Sequence, residues 1–371
     1  MKRHNPVLLL LMLWTFFILS ACGGGDSSSQ PFSQADLVGT WYINILQTGP
    51  AVTSGEPGWM RGTADIDSTG HITITSFATS AAGTVLPADY PQGIVWTIDP
   101  ATGMITETGT PSAGNPDFHG KLAANKQLIV GTATNQNASG GVNTAQLRII
   151  QKIDPSVTYN ADDLANKDFM MHQLSSGAND DWAYASGSTD VNGTATMPTM
   201  TTSSLGSIPG GTPGIIAVQP DTGLVTLDTN TSFEGMLSSD KTYFVATETD
   251  QGTGDIYRLT IVQILPSNPS FVTSDLAGSW HFHGLATIPA WVYEGLSIDA
   301  SGLATITSQL DSAGTSTNDP IQVQLGIDSA GNVVDTGDAT LHGTLSAGKD
   351  MIVTTQTLTG TSYNMLGVAV K

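Results

Sequence analysis

The sequence predicts an all-β protein made of three tandem, small up-and-down β-barrels, each with about eight strands. One strand-and-turn pattern occurs three times along the chain, and the residues between its turns alternate in polarity with the period of a strand. Charged residues make up only 12% of the chain, which argues against long solvated helices. We expect the three repeats over residues 35–154, 162–265 and 274–371.

Every repeat opens on Asp-Leu followed by an aromatic residue. The outer copies read Asp36-Leu-Val-Gly-Thr-Trp41 and Asp275-Leu-Ala-Gly-Ser-Trp280. The middle copy, Asp163-Leu-Ala-Asn-Lys-Asp-Phe169, is one residue longer and lacks the glycine. The Gly-Xaa-Trp of the outer copies resembles the first-strand motif of lipocalins and their calycin relatives. That resemblance implies an indole that closes one end of a barrel, and an interior that can carry a small molecule.

A second tryptophan follows in each copy at a fixed distance from a turn. An aspartate stands eight residues after this tryptophan, and a glycine stands three residues after the aspartate. Aspartate bonds its own backbone in tight turns and glycine accepts positive φ, so the pattern predicts a hairpin. The positions are Trp59, Asp67 and Gly70; Trp182, Asp190 and Gly193; and Trp291, Asp299 and Gly302.

Two more hairpins and a closing strand complete each repeat. The third hairpin is marked by a glycine six residues before a lysine, at Gly120 and Lys126, Gly235 and Lys241, and Gly343 and Lys349. One opening strand, three hairpins and one closing strand give about eight strands, whose edges are protected if the last strand pairs with the first. The same strands could instead form a six-bladed β-propeller with two blades per repeat. The breaks at 154–162 and 266–274 favour separate barrels.

The chain begins like a secreted protein. Met1-Lys2-Arg3-His4 is basic, Val7 to Leu19 is apolar, and the run is too short to span a bilayer. Leu19-Ser20-Ala21-Cys22 resembles the bacterial lipobox. The resemblance implies that residues 1–21 are a signal peptide and that Cys22 carries diacylglycerol and an N-acyl chain such as palmitate. The glycine- and serine-rich residues 22–34 are expected to be a flexible tether.

The residue after Cys22 is Gly23, not the aspartate that often retains lipoproteins in the inner membrane. For a Gram-negative host, the resemblance therefore implies a lipid-anchored protein of the outer membrane, facing the periplasm or the cell surface. Several acyl chains together hold a protein firmly on a membrane. The membrane is thus the first expected partner.

Charge and cysteine content exclude several function classes. The chain has 12 basic and 32 acidic residues, a net charge of −20, and removal of Lys2 and Arg3 with the signal brings it to −22. Such a field repels phosphate backbones, so we expect no nucleic-acid partner. Cys22 is the single cysteine, so the processed protein has no disulfide and no thiolate metal site.

No catalytic motif is present: the sequence lacks a Gly-Xaa-Ser-Xaa-Gly elbow, a phosphate-binding loop and a His-Glu-Xaa-Xaa-His pair. We therefore expect a non-enzymatic binding or structural module without a cofactor other than its lipid, whose partner is a small apolar ligand or an envelope protein. The alternative is a propeller-type cell-surface enzyme, a hydrolase or lyase, or a carbohydrate-binding protein.

Six residues are candidates for ligand binding. Aromatic rings at barrel mouths can stack on apolar or sugar ligands, although their recurrence in the repeats also predicts core packing. Two histidines can share a site if their strands are brought together, although both positions also suit ordinary polar strand residues. No metal site is expected. The candidates are Trp41, Trp59, Trp280, Trp291, His283 and His342.

Overall fold

The computed structural model describes residues 31–49, 57–81, 83–85, 93–109, 118–135, 143–251, 255–317, 320–358 and 363–371. The predicted signal peptide 1–21, Cys22 and residues 23–30 of the predicted tether lie outside these ranges. Among the helices within them, none has the length and apolar character needed to cross a bilayer.

The first repeat forms a curled antiparallel sheet, here called unit A. Its strands are β1 (Gly39–Thr48), β2 (Gly58–Ile66), β3 (Ile72–Thr79), β4 (Gly83–Val85), β5 (Val95–Ile98), β6 (Met104–Thr108), β7 (His119–Leu122), β8 (Leu128–Asn135) and β9 (Thr144–Lys152). They lie in the order β4-β3-β2-β1-β9-β8-β7-β6-β5, so that the closing strand pairs with the opening strand. An isolated bridge between His71 and Val95 joins the two ends of the curl.

The second repeat forms unit B, which is a closed barrel. Its strands are β10 (Asp168–Gly177), β11 (Asp181–Thr189), β12 (Thr194–Thr196), β13 (Thr199–Thr202), β14 (Gly206–Pro209), β15 (Gly214–Val218), β16 (Leu224–Leu227), β17 (Asn230–Leu237), β18 (Tyr243–Gln251) and β19 (Asp255–Ile264). Pairing of β10 with both β11 and β19 closes a ring of eight strands, and β13 and β14 extend from β11.

The third repeat forms unit C, also a closed barrel. Its strands are β20 (Gly278–Ala286), β21 (Trp291–Ile298), β22 (Leu303–Asp311), β23 (Ser316–Thr317), β24 (Ile321–Ile327), β25 (Asn332–Asp335), β26 (His342–Leu345), β27 (Met351–Thr357) and β28 (Asn364–Val370). Pairing of β21 with β22 closes the ring of eight, to which β23 is appended. The predicted all-β fold with eight-stranded barrels is confirmed by units B and C, whereas the sheet of unit A is curled but not closed. The six-bladed propeller is wrong because each repeat forms one sheet of its own.

The predicted hairpin turns form in all three units. In unit C, Asp299 Oδ1 accepts hydrogen bonds from the backbone N–H groups of Ser301 at 2.8 Å and Leu303 at 3.1 Å. Gly302 takes a φ of 85°, which a side chain would strain. Asp67 and Asp190 make the equivalent bonds in the other units.

The repeated opening aspartate and the third-hairpin lysine form an ion pair in every unit. Each repeat enters its barrel through a single helical turn, at Gln34–Leu37, Ala161–Leu164 and Thr273–Leu276. In unit C the Asp275 carboxylate accepts a hydrogen bond from the Val272 N–H at 3.0 Å and pairs with Lys349 Nζ at 2.8 Å. Units A and B repeat this ion pair with the residues Asp36 and Lys126, and Asp163 and Lys241.

Each unit encloses its own apolar cluster, and the opening tryptophan closes one end of it in units A and C. The indole N–H of Trp41 donates to the Leu37 carbonyl at 2.7 Å, and that of Trp280 donates to the Leu276 carbonyl at 2.8 Å. The lipocalin resemblance implies an indole in this role. Phe32, within the segment assigned to the tether, packs into the cluster of unit A.

A fourth apolar cluster lies between the units, which together form one compact body over Phe32–Lys371. Every unit contributes two outward-facing leucines that are paired across its opening and closing strands and are fully buried. Because the same positions meet from all three units, the units pack with pseudo-threefold symmetry. The pairs are Leu46 and Leu147, Leu174 and Leu259, and Leu285 and Leu366.

Candidate ligand-binding site

The interior of unit C contains a cavity of about 480 Å³. This volume falls within the usual range of small-molecule sites. Trp280 lies at its closed end, and Phe282, Leu296, Ile306 and Leu325 contribute to a largely apolar wall. The cavity can therefore accept a small, mostly apolar molecule.

Small side chains on two neighbouring strands leave this space. Three small inward-facing residues line the cavity, namely Gly284 and Ala286 on β20 and Ala369 on β28. The strand registers place larger side chains at the same positions of unit A, namely Ile45, Gln47 and Ile150. The cavity of unit C is thus a direct consequence of its sequence.

The interior of unit A contains a buried ion pair. Arg148 Nη1 lies 3.2 Å from Glu107 Oε2, and the Glu107 side chain is only 3% exposed. The guanidinium also stacks at 4.8 Å from the centre of the Phe118 ring. Trp96 Nε1 donates to the same Glu107 oxygen at 2.8 Å, so both charges are held in fixed positions.

Unit B fills its interior with a polar network of similar design. Arg258 Nη1 lies 3.3 Å from Glu248 Oε1, and Asn230 Nδ2 donates to Glu248 Oε2 at 2.7 Å. Gln173 Nε2 donates to Thr260 Oγ1 at 2.8 Å on the neighbouring strand. Among the described residues of unit C, no ion pair takes this place.

One carboxyl group projects into the apolar cavity of unit C. Glu294 Oε1 accepts a hydrogen bond from Gln309 Nε2 at 3.0 Å across strands β21 and β22. Oε2 has no hydrogen-bond partner among the described residues. Burial in the cavity raises the pKa of the Glu294 carboxyl from 4.5 to about 7. Glu294 thus offers a polar anchor within a largely apolar part of the wall.

The end of the cavity opposite Trp280 is acidic. Asp311 and Asp335 terminate β22 and β25 at this end, and Asp338 follows β25. Their carboxylates accept backbone hydrogen bonds within their own turns, for example from the Ala313 N–H to Asp311 at 2.9 Å. A ligand that enters from this end passes a negatively charged rim.

The candidate tryptophans fall into two structural classes. Trp41 and Trp280 lie inside their units, and Trp280 lines the cavity. Trp59 and Trp291 direct their indole N–H groups toward the neighbouring units, where they donate to Thr249 at 2.7 Å and to Thr134 at 2.7 Å, and Trp291 also borders the cavity. Trp182 makes the equivalent bond to Thr357 at 2.9 Å. Each unit therefore contacts the next through its second tryptophan, and unit C contacts unit A.

The structure does not bring the candidate histidines His283 and His342 together. His283 lies between units C and A beside Tyr293, with ring centres 5.0 Å apart. His342 lies between units B and C, where its ring stacks on that of Tyr184 at 5.0 Å. Both positions serve contacts between units.

These contacts have the same layout at all three junctions. Between units B and C, His172 Nε2 lies 2.9 Å from Thr344 Oγ1, and burial lowers the pKa of His172 to about 3. Asn44 holds the equivalent position between units A and B, where Arg61 pairs with Glu234 at 3.2 Å.

Within the described residues, no group of three or more acidic, histidine or cysteine side chains has a geometry that would hold a metal ion.

Glu294 was not among the residues predicted from the sequence. A signal for it exists, because the strand registers place Gly62 and Ala185 at the same position of units A and B. An acidic residue at an inward position that holds glycine or alanine in the other two repeats indicates that the third repeat requires a carboxyl group there.

No family model matches the chain, and no curated protein matches it. Several solved structures resemble it weakly. A DUF3598-family protein of unknown function from Nostoc punctiforme is 9% identical, with a TM-score of 0.20, over 62% of this chain and 97% of that chain. Transferrin binding protein B from Neisseria meningitidis is 8% identical, with a TM-score of 0.24, over 90% and 76%. A variant of transferrin binding protein B from Haemophilus parasuis is 10% identical, with a TM-score of 0.30, over 89% and 76%. Likeness at this level says nothing about binding or catalysis by this chain.

Proposed function

We propose that this protein is a non-enzymatic binding protein of the bacterial envelope, anchored by a lipid on Cys22, and that unit C holds a small apolar ligand. The observation that supports ligand binding is the cavity of about 480 Å³ with a mostly apolar wall in unit C. The interiors of units A and B, by contrast, are occupied by Arg148 with Glu107 and by Arg258 with Glu248. Ligand binding therefore belongs to the third repeat.

Filling the cavity is expected to weaken ligand binding. The neutral dye N-phenyl-1-naphthylamine gains fluorescence in apolar sites, so a titration gives its Kd. Ala286→Leu and Ala369→Ile place larger side chains at two lining positions. Loss of about two buried CH₂ groups of contact corresponds to about a tenfold rise in Kd, and the double variant should lose more.

Val262→Ile is the matched control, because Val262 occupies in unit B the position that Ala369 occupies in unit C. It should leave the Kd of the dye unchanged. Thermal unfolding of each variant shows whether the fold is retained. A folded double variant that binds the dye as tightly as the parent protein would refute a ligand site in unit C.

The lipid anchor is tested separately in a Gram-negative expression host. Cys22→Ala removes the thiol that receives diacylglycerol, so the protein should remain an unprocessed precursor that still contains residues 1–21. Intact-mass measurement and labelling with radioactive palmitate report processing and acylation. Ser28→Ala, in the same tract, is the control and should be processed normally. An unchanged mature mass in the Cys22→Ala protein would contradict the anchor.

A further inference from the structure

We infer that the ligand of unit C carries a protonated amine on an apolar body, and that the Glu294 carboxylate binds this amine inside the barrel. The inference rests on the proposed ligand site and specifies its chemistry. Its main support is the position of Glu294, which lines the cavity. Gln309 donates to its Oε1 at 3.0 Å, and Oε2 has no hydrogen-bond partner among the described residues.

A carboxyl group in an apolar cavity restricts which ligands fit. An apolar ligand without a donor would leave Oε2 unsatisfied, which is costly in a site shielded from water. A ligand carboxylate would add a second negative charge close to Glu294. A donor group is therefore required, and a cationic donor forms the stronger, charge-assisted hydrogen bond.

The charge distribution of unit C selects a cation over a neutral donor. From Gly278 to Lys371 the only lysines or arginines are Lys349 and Lys371. Both lie at the closed end, where Lys349 pairs with Asp275 at 2.8 Å and Lys371 Nζ lies 4.6 Å from the centre of the Trp280 ring. At the opposite end, the charged groups that line the cavity among the described residues are all carboxylates, so the field there attracts a cation and repels an anion.

The experiment compares three ligands with the same alkyl chain: octylammonium, octanol and octanoate. Each displaces N-phenyl-1-naphthylamine from the full protein at physiological salt, where long-range surface attraction is screened. Octylammonium should bind at least about tenfold more tightly than octanol, since a hydrogen bond to a charged group is stronger than a neutral one, and octanoate should bind most weakly.

Glu294→Gln keeps the side-chain size and removes the carboxylate. In this variant the ratio of the octanol Kd to the octylammonium Kd should fall to near one, and because both ligands are measured on the same variant, a general loss of binding cancels. Asp299→Asn, which removes one negative charge from a turn at the closed end, should keep the ratio of the parent protein.

The pH dependence of the same ratio gives a second readout. The carboxylate form of Glu294 binds the amine, so the preference for octylammonium should grow between pH 6 and pH 8, around the raised pKa of about 7. Asp311, Asp335 and Asp338 also face the cavity, and the Glu294→Gln variant, which keeps all three, should lose this pH dependence.

Octanol or octanoate binding as tightly as octylammonium would overturn the inference while leaving the ligand site intact. A preference for the amine that survives Glu294→Gln would also overturn it, because the selectivity would then come from elsewhere. If the dye does not bind unit C at all, both the inference and the proposed ligand site fail.

Discussion

Replacing Glu107 with leucine is expected to lower the free energy of unfolding by about 3–5 kcal/mol. The substitution leaves the Arg148 guanidinium buried without its carboxylate, which lies 3.2 Å away in the native protein. It also removes the acceptor of the Trp96 indole N–H. Urea unfolding followed by tryptophan fluorescence at pH 7.5 measures the loss.

Two controls separate the buried charge from the loss of contacts. The double variant Glu107→Leu with Arg148→Met removes both charges and should regain most of the lost stability, because an apolar pair can replace a buried ion pair. Asp250→Asn breaks a pair between Arg258 and a carboxylate that is 47% exposed, and should cost less than about 1 kcal/mol. A Glu107→Leu protein as stable as the Asp250→Asn protein would contradict a buried, paired arginine.

Acid is expected to destabilise the contacts between the units, through His172 and His283. Burial, followed by the nearby charge of His342, lowers the pKa of His172 from 6.5 to about 3. Burial also holds the pKa of His283 well below 6.5, with further lowering by His281, His119 and Lys121. Both side chains are fully buried.

The direction in which the free energy of unfolding changes with pH depends on which state, folded or unfolded, takes up protons first. The unfolded chain binds protons at these histidines as the pH falls through 6.5, whereas the folded protein does not, so the free energy of unfolding falls with decreasing pH. Each fully buried histidine contributes up to about 1.4 kcal/mol per pH unit below 6.5. Glu294 acts in the opposite direction between about pH 7 and 4.5, because its pKa is raised in the folded state.

The variant that tests the role of these histidines replaces both with asparagine, which is the residue at the equivalent position of the first repeat, Asn44. His172→Asn with His283→Asn should flatten the decline in unfolding free energy between pH 6.5 and 4.5 by up to about 2.7 kcal/mol per pH unit for the pair. His71→Asn, which removes a histidine of unit A at the isolated bridge to Val95, is the control substitution. An equal slope in the parent and double-variant proteins would show that these histidines do not carry the acid sensitivity.

Much of the fold follows from the sequence because its signals are local. Asp299 and Gly302 are three residues apart and form their turn within one hairpin, so spacing alone predicts it. The third hairpin is different in detail: Lys349 itself takes the left-handed conformation, with a φ of 59°, and Gly343 lies within a strand. The ion pair of Lys349 with Asp275 joins residues too far apart in sequence for spacing to reveal it.

The site depends on which face of each strand is enclosed, and sequence alternation leaves this open when both faces are apolar. Trp59 pairs with Leu46 on the outer face of unit A, so it contacts unit B and not the interior. The small residues Gly284 and Ala369 can be recognised as part of one cavity only once β20 and β28 are known to pair. Contacts between units, like the buried position of His283, require the arrangement of all three units.

Each second tryptophan donates to a threonine of the following unit, and the third unit donates back to the first. An array that returns to its starting point has no free end at which copies can be added or lost. Deleting one copy would expose two leucine-rich faces to water, and a fourth copy would have no matching surface on which to dock. Three is therefore the number of repeats that this arrangement accommodates, and the repeats are expected to persist or be lost as a set.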